Sequence, residues 1–306
     1  MIKYVMTATA LKLFSATPQT RRFYRQLGNA IGPRVRKHIG LNKMYLDRVR
    51  SVLDVCRQHD VIQPGGKLLE VGTGWLHWES TIIRLFYDVE ITLFDIVDNR
   101  QLAAYKHYLG QLEQVIDEVV EMTAAEHERV HDLLWRILNA DSFDEVYEML
   151  GFHYVINPGG TLKHFQDESF TLIYSSNVLE HIDRRILPDF IHDYRRVLQP
   201  GGHSIDLIDL SDHLYWYDEH VSIKNYLRYS DKVWRRYFEN EVQYINRVQR
   251  PEWLELYRNA GLDLVEEEAI TADIGSMDID EGYKHLDNED LRCVTLRVVH
   301  HKPRLH

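Results

Sequence analysis

The chain has 306 residues, enough to bury a sizeable core as one large domain with additions. Its 44% hydrophobic and 27% charged residues sit near the globular average and speak against disorder. With 36 basic against 47 acidic residues the formal charge is −11, which argues against a surface built to coat nucleic acid. The one basic run, residues 34–37 with Arg21, Arg22 and Arg25, reads as a solvated helix face. Cys56 and Cys293 stand far apart in no metal-ligand spacing, so a disulfide framework is not expected and a reducing, cytoplasmic compartment is the simpler assignment. No apolar run approaches the ~18 residues of a membrane span. Lys12 interrupts the apolar stretch at residues 4–11, so a signal peptide is not expected either.

Residues 1–63 read as an N-terminal helical cap. Leu46, Val49, Val52, Leu53 and Cys56 recur at helical steps, and Pro18 and Gly32-Pro33 are expected to cut the region into short pieces. Residues 64–306 follow as the main domain. Gln63-Pro64-Gly65-Gly66 breaks the helical pattern, and 67–71 is a short apolar strand of the kind buried in a parallel sheet. A helix over 79–87 leads to a second strand, 90–94, ending at Asp95. Between about 100 and 150 two or three helices, with stripes such as Val130, Leu133, Leu134 and Ile137, exceed what a plain crossover needs. They form an insertion suited to a lid or to a homodimer surface, between which the sequence does not choose.

Strands at 152–156 and 170–174 come next. A helix begins near Pro188 and is expected to stop at Gln199-Pro200-Gly201-Gly202, ahead of a fifth strand over 204–210. Residues 262–265 and 293–299 supply two more strands. Strands alternating with helices predict a doubly wound parallel sheet. Between the fifth and sixth strands, residues 211–252 are rich in aromatics, among them Trp216, Tyr226 and Trp234. This segment suits either a cover for an acceptor site or the core of a small subdomain.

The chemistry concentrates in Glu70-Val71-Gly72-Thr73-Gly74-Trp75. A strand passing through two glycines into a helix lets a ligand approach the backbone, and the exposed N–H groups favour an anionic group. Asp95, at the tip of the next strand and 23 residues after Gly72, is placed to accept both hydroxyls of a ribose. The dinucleotide fingerprint would require Gly or Ala at the sixth position, where His77 stands. A NAD(P)-dependent oxidoreductase is therefore the lesser alternative, and a catalytically idle binding protein is another.

Glu70-Val71-Gly72-Thr73-Gly74 resembles motif I of the class I S-adenosylmethionine-dependent methyltransferases. Residues 167–182, including Ser175-Ser176-Asn177-Val178-Leu179-Glu180-His181-Ile182, are similar to motif IV of the type 11 subgroup. Arg196-Val197-Leu198-Gln199-Pro200-Gly201-Gly202 is similar to the element that follows it. The resemblance covers roughly residues 66–210 and implies a Rossmann-like, mostly parallel seven-stranded sheet. It also implies S-adenosylmethionine as cofactor, with Glu70 ordering the loop and the methionine end, Gly72, Thr73 and Gly74 letting the cofactor cross it, and Asp95 with Ile96 at the ribose. Asn177 is expected beside the sulfonium. Leu76 stands where the family's pattern has its third glycine. For the adenine amino group Asn157 and Asp141 compete, and Asn157 is preferred because it follows the third strand.

For the acceptor, a methyl transfer mainly needs a positioned nucleophile and a proton acceptor. His181 and His213 follow the fourth and fifth strands, at the carboxyl ends where open α/β sheets bind ligands. The expected acceptor is a small molecule methylated on oxygen, a metabolite or sugar, with no nucleic-acid or membrane partner. No metal is expected, because Asp209, Asp212, His213, Asp218, Glu219 and His220 lack a fixed ligand spacing.

Overall fold

The structure is a computed structural model that describes residues 1–304, with side chains throughout except at residues 29, 30, 33, 34 and 36–39. The side chains at 34, 36 and 37 of the basic run therefore lie outside the described residues. Three helices open the chain: α1 (Ile2–Ser15), α2 (Pro18–Ile39) and α3 (Lys43–Gln58). Pro18 starts α2, but α2 continues through Gly32-Pro33, where a break is expected. An interior proline costs a helix about 3 kcal/mol, and in a helix of 22 residues that runs on both sides of Pro33 this local signal does not prevail. In α3 the predicted stripe buries Val49, Val52, Leu53 and Cys56 and leaves Leu46 half-buried, and the Asn42 side chain caps the helix by accepting from Tyr45 N.

Strands and helices then alternate as β1 (Lys67–Val71), α4 (Trp78–Phe86), β2 (Glu90–Asp95) and the inserted helices α5 (Leu102–Glu113), α6 (Ile116–Val119), α7 (Ala124–Asn139) and α8 (Phe143–Leu150). After these come β3 (Phe152–Ile156), β4 (Phe170–Ser176), α9 (Leu187–Val197), β5 (Leu198–Asp209), α10 (Asp231–Tyr237), α11 (Arg250–Asn259), β6 (Asp263–Thr271), α12 (Asn288–Arg292) and β7 (Cys293–His301). The sheet has seven strands in the order β3-β2-β1-β4-β5-β7-β6. β1 pairs parallel with β2 and β2 with β3, while β6 and β7 are antiparallel. This is the mostly parallel, doubly wound sheet expected from the alternation of elements. No helix among the described residues is long and apolar enough to cross a membrane.

Two boundaries differ from expectation. Gln199-Pro200-Gly201-Gly202 lies inside β5 and is not a turn that ends the helix, because α9 stops at Val197 and the strand starts at once. Gly201 has φ +86°, and a Cβ on Gly202 would stand 2.9 Å from the carbonyl oxygens of Gln199 and Thr171. Glycine there serves close backbone approach within a strand. β6 is also longer than 262–265, because it pairs with β7 from Asp263↔His301 to Thr271↔Cys293. That ladder joins segments some thirty residues apart, beyond any local window.

Contacts are densest within two units. One comprises residues 29–174 and 196–203, the other residues 1–28, 175–195 and 204–306. The first is built on buried Leu68, Leu69, Ile91 and Leu93 of the strands and on Leu134 and Ile137 of the insertion. In the second, α1 packs Tyr4, Ala8 and Leu11 against Leu214, Tyr226, Trp234 and Phe238. A large apolar side chain such as Leu11 or Phe238 stabilises the fold by about 1.5–3 kcal/mol when fully buried. Tyr4 adds a hydrogen bond from its hydroxyl to Asp212 Oδ2 at 2.7 Å. The aromatic segment thus divides its residues: Tyr226, Trp234 and Phe238 make core, whereas Trp216, Tyr217 and Tyr237 are exposed.

Candidate functional site

In the unit of residues 29–174, the turn after β1 is held from below. Gly72 N and Thr73 N donate to the Phe94 carbonyl at 2.8 and 3.2 Å, which ties the turn to β2. Gly74 has φ +62°, and a Cβ built on it meets nothing nearer than the Gly72 carbonyl oxygen at 4.0 Å. The loop therefore presents an open cradle that any side chain here would fill. Beside it, Asp95 Oδ2 accepts from Gly74 N at 2.9 Å, and Oδ1 accepts from Ile96 N at 2.7 Å and Val97 N at 3.3 Å. Burial pushes the Asp95 carboxyl above its ordinary range, against the pull of these three N–H groups. Ile96, 54% exposed, follows immediately.

Beneath the turn lies a buried polar chain that organises it. Thr73 Oγ1 donates to Glu70 Oε2 at 2.8 Å, so its oxygen is left to accept from His77 Nδ1 at 2.6 Å. That fixes the proton on Nδ1 and makes Nε2 the acceptor for the Tyr147 hydroxyl of α8 at 2.8 Å. From the other side Ser80 donates to Glu70 Oε2 and accepts from the Tyr174 hydroxyl at 2.5 Å. Burial, with Glu79 nearby, raises the Glu70 pKa against the Ser80 and Thr73 hydroxyls. Glu79 itself is gripped by both donors of Arg48, at 2.5 and 2.6 Å. His77, wholly buried at φ +46° as the N-cap of α4, has its pKa pushed down by burial to about 3 and is neutral. The sequence marked His77 only as a missing glycine; the Thr73, His77 and Ser80 spacing was the available sign of this chain.

Asn157 adjoins the same place. Its N donates to the Asp95 carbonyl at 2.9 Å, and its side chain closes its own turn, accepting from Gly159 N at 3.0 Å and donating to Thr161 O at 2.9 Å. Asp141, the other residue considered for the adenine, instead lies at the head of α8, its N bonded to Glu145. Glu70, Gly72, Thr73, Gly74, Asp95, Ile96 and Asn157 are thus brought together, and Asp141 is not linked to them by any of these bonds.

In the other unit, Asn177 follows the end of β4 at Ser176, adopts φ +55° and donates its N–H to the Leu207 carbonyl at 2.8 Å. A single 3-10 turn, Leu179–His181, follows. Asn246 pins this turn: its N donates to Glu180 O at 2.8 Å, and its side-chain amide to Leu179 O at 2.9 Å and Ile182 O at 3.2 Å. His181 Nδ1 lies 2.6 Å from the Tyr244 carbonyl, an acceptor only, so Nδ1 carries the proton and Nε2 holds the lone pair. The His181 and His213 rings approach to 5.1 Å between centroids, and His213 Nε2 lies 3.3 Å from Asp209 Oδ2. Burial lowers the His181 pKa, although the ring keeps a face open to solvent. Burial raises Asp209, but the His213 and Ser211 bonds hold it below its ordinary range. Asp212 is turned away to Tyr4 of α1, and burial pushes it up to about 6. Sequence reasoning passed over Glu180. Its carboxylate is buried, and neither oxygen has a hydrogen-bond partner among the described residues.

A seven-stranded, mostly parallel sheet with a glycine turn after β1 and an acid at the tip of β2 defines a Rossmann-like nucleoside-binding protein. The family model of the methyltransferase domain Methyltransf_23 matches residues 43–267, and the chain belongs to this family. It is a class I S-adenosylmethionine-dependent methyltransferase, and the type 11 resemblance is consistent with that family. S-adenosylmethionine is its cofactor, and the open cradle over Gly74 beside Asp95 fits a group that crosses the loop and ends in a diol. No curated protein sequence matches the chain.

Solved structures similar to it include a chain of the complex between the Haloferax volcanii Trm112 methyltransferase activator and a methyltransferase, at 15% identity over 86% of this chain and 96% of that one, TM-score 0.44. A Bacillus halodurans methyltransferase has 14% identity over 83% and 98%, TM-score 0.43. A Burkholderia thailandensis 1,6-didemethyltoxoflavin-N1-methyltransferase with bound S-adenosylhomocysteine has 14% identity over 83% and 78%, TM-score 0.45. None is similar enough to lend its acceptor to this chain.

Proposed function

We propose that this methyltransferase acts on an oxygen of a small-molecule acceptor, a metabolite or sugar, in the cytoplasm, with no nucleic acid or membrane as partner. The observation that carries the reading is the His181–His213 pair, whose rings meet after the carboxyl ends of β4 and β5 with His181 Nε2 left as an unprotonated nitrogen. Such a nitrogen beside a second imidazole suits an acceptor group that must lose a proton, as a hydroxyl must. When bound, the cofactor supplies an electrophilic methyl group on a sulfonium.

The chain's own residues bind and orient. Asp95 would accept from both ribose hydroxyls while its backbone bonds keep it aimed, and Ile96 offers an apolar face next to it. Gly72, Thr73 and Gly74 would carry the methionine end over the turn, which Glu70 keeps in shape through Thr73 and Ser80. Asn157 would close the adenine side with its turn. His181 and His213 would receive the acceptor oxygen.

Calorimetry with S-adenosylmethionine and S-adenosylhomocysteine, followed by a methyl-transfer screen of hydroxylated and amine acceptors, tests this. Binding of both with turnover on hydroxyl acceptors is expected. Turnover on amines alone rejects the oxygen reading, and no heat from either compound on folded protein rejects the cofactor residues.

A further inference from the structure

We propose that Glu180, His181 and His213 form a binding site for one divalent metal ion of the zinc class. A carboxylate taken out of water is costly unless a charge, hydrogen bonds or a proton compensates it. Glu180 has no ion partner at its oxygens: its side chain is 3% exposed, neither oxygen has a partner within hydrogen-bond criteria among the described residues, and only the backbone N–H groups of Glu180 and Asp209 face it. The nearest histidine nitrogen, His181 Nε2, stands 3.9 Å from Oε1, too far for a hydrogen bond. One donor atom from each of Glu180, His181 and His213 lies within 4.8 Å of the others.

Ligand atoms around one tetrahedral zinc stand roughly 3.4 Å apart. Small side-chain movements close that gap. Two imidazoles and a carboxylate are a common zinc set, and it leaves a position for an exogenous oxygen.

The surroundings are built as metal sites are. A ligating histidine usually donates its second ring N–H to a carbonyl or carboxylate, which fixes the tautomer. His181 does so, from Nδ1 to Tyr244 O at 2.6 Å. Asp209 stands behind His213 at 3.3 Å from Nε2. The turn bearing Glu180 and His181 is clamped by Asn246, so two of the three ligands sit on backbone that is already held. The His181 side chain is 43% exposed, which gives an ion a way in.

A second group, Asp117, His127 and His131 on α6 and α7, also brings three donors together. There the carboxylate is exposed and both oxygens already face imidazoles, at 3.0 and 3.5 Å, so it is satisfied without an ion. With His181 Nε2 given to the ion, an acceptor oxygen in the open metal position would lose its proton to solvent in place of His181; that clause alone rests on the function proposed above.

The test uses the chelator-stripped full chain titrated with Co²⁺, without cofactor or acceptor, and reads visible ligand-field bands and stoichiometry. One tightly held ion per chain is expected, with tetrahedral-type bands that Zn²⁺ abolishes. Glu180→Gln and His213→Asn should each weaken it about 100-fold or more, and His127→Ala should leave it unchanged. Melting curves and S-adenosylhomocysteine calorimetry on each variant report the fold and the Glu70–Asp95 turn separately. If Glu180→Gln fails to fold, His213→Asn, whose ring is partly exposed, decides the matter. No cobalt bands in the wild type overturns the proposal. So does binding that survives in a folded variant of Glu180 or His213, or that is lost in His127→Ala. A silent calorimetric trace with intact cobalt binding would instead count against the cofactor residues alone.

Discussion

His77 makes the acid stability of the protein predictable. Burial holds its pKa down at about 3, against 6.5 for an ordinary histidine, and its two nitrogens are occupied by Thr73 and Tyr147. As pH falls below about 6.5 the unfolded chain takes up a proton that the folded chain refuses. Stability is therefore lost progressively down to about pH 3, and the deficit is complete below that value. Between pH 7 and pH 5 the loss from this one ring is about 2 kcal/mol.

His77→Asn isolates it, since asparagine tolerates the left-handed backbone at φ +46° and does not titrate. At pH 7 the variant should be less stable by about 1–3 kcal/mol, because the buried Tyr147 hydroxyl loses its acceptor. Urea unfolding followed by circular dichroism at pH 7, 6 and 5 should show the two proteins converging by that 2 kcal/mol. A gap that stays constant with pH would refute the assignment of His77 as a buried neutral ring.

Three other expectations follow from particular contacts. Asp206 is wholly buried, accepts from Ser175 at 2.6 Å, Tyr257 at 2.7 Å and Tyr194 at 3.3 Å, and is pushed up by burial to about 6. Its proton stabilises the fold below the ordinary carboxylate range and that contribution is lost as pH rises through 6, so Asp206→Asn should gain about 1 kcal/mol on the wild type between pH 5 and pH 8 in urea melts; parallel curves would contradict it. Asn246→Ala removes two amide bonds to the Leu179 and Ile182 carbonyls and should cost about 2 kcal/mol, with a higher acceptor KM and little change in cofactor affinity in steady-state assays. Asp95→Ala should lower S-adenosylhomocysteine affinity by on the order of 100-fold in calorimetry while the melting temperature shows the fold retained; unchanged affinity removes the ribose assignment.

Much of this architecture could be read in the amino acids because its signals are local. Leu68-Leu69 and Ile91-Thr92-Leu93 announce buried strands, and the Gly72–Gly74 turn with Asp95 one strand later marks the end of the sheet proposed to hold the nucleoside. The hidden parts depend on partners distant in the chain. β6 extends to Thr271 only because β7 lies alongside, and α2 overrides a local break signal with its own length. At the candidate site, His181 and His213 were visible by their places after strands, and the fold does bring the rings together. Glu180 was not visible, because in a three-residue 3-10 turn nothing in the neighbouring letters says which side chain turns inward. His77 likewise looked like a substitution for glycine, although its ring joins the insertion to the turn.

That junction has a thermodynamic corollary. Tyr147 belongs to α8, and only His77 and Thr73 separate its hydroxyl from Glu70. The inserted helices are thus wired into the floor on which the methionine end would rest, and energetic coupling of this kind runs in both directions. With the ligand held at the turn as proposed, whatever loosens α8 lowers its affinity, and an occupied turn in return quietens the inserted helices. Variation in the insertion could tune how tightly the nucleoside is held without altering any residue that holds it.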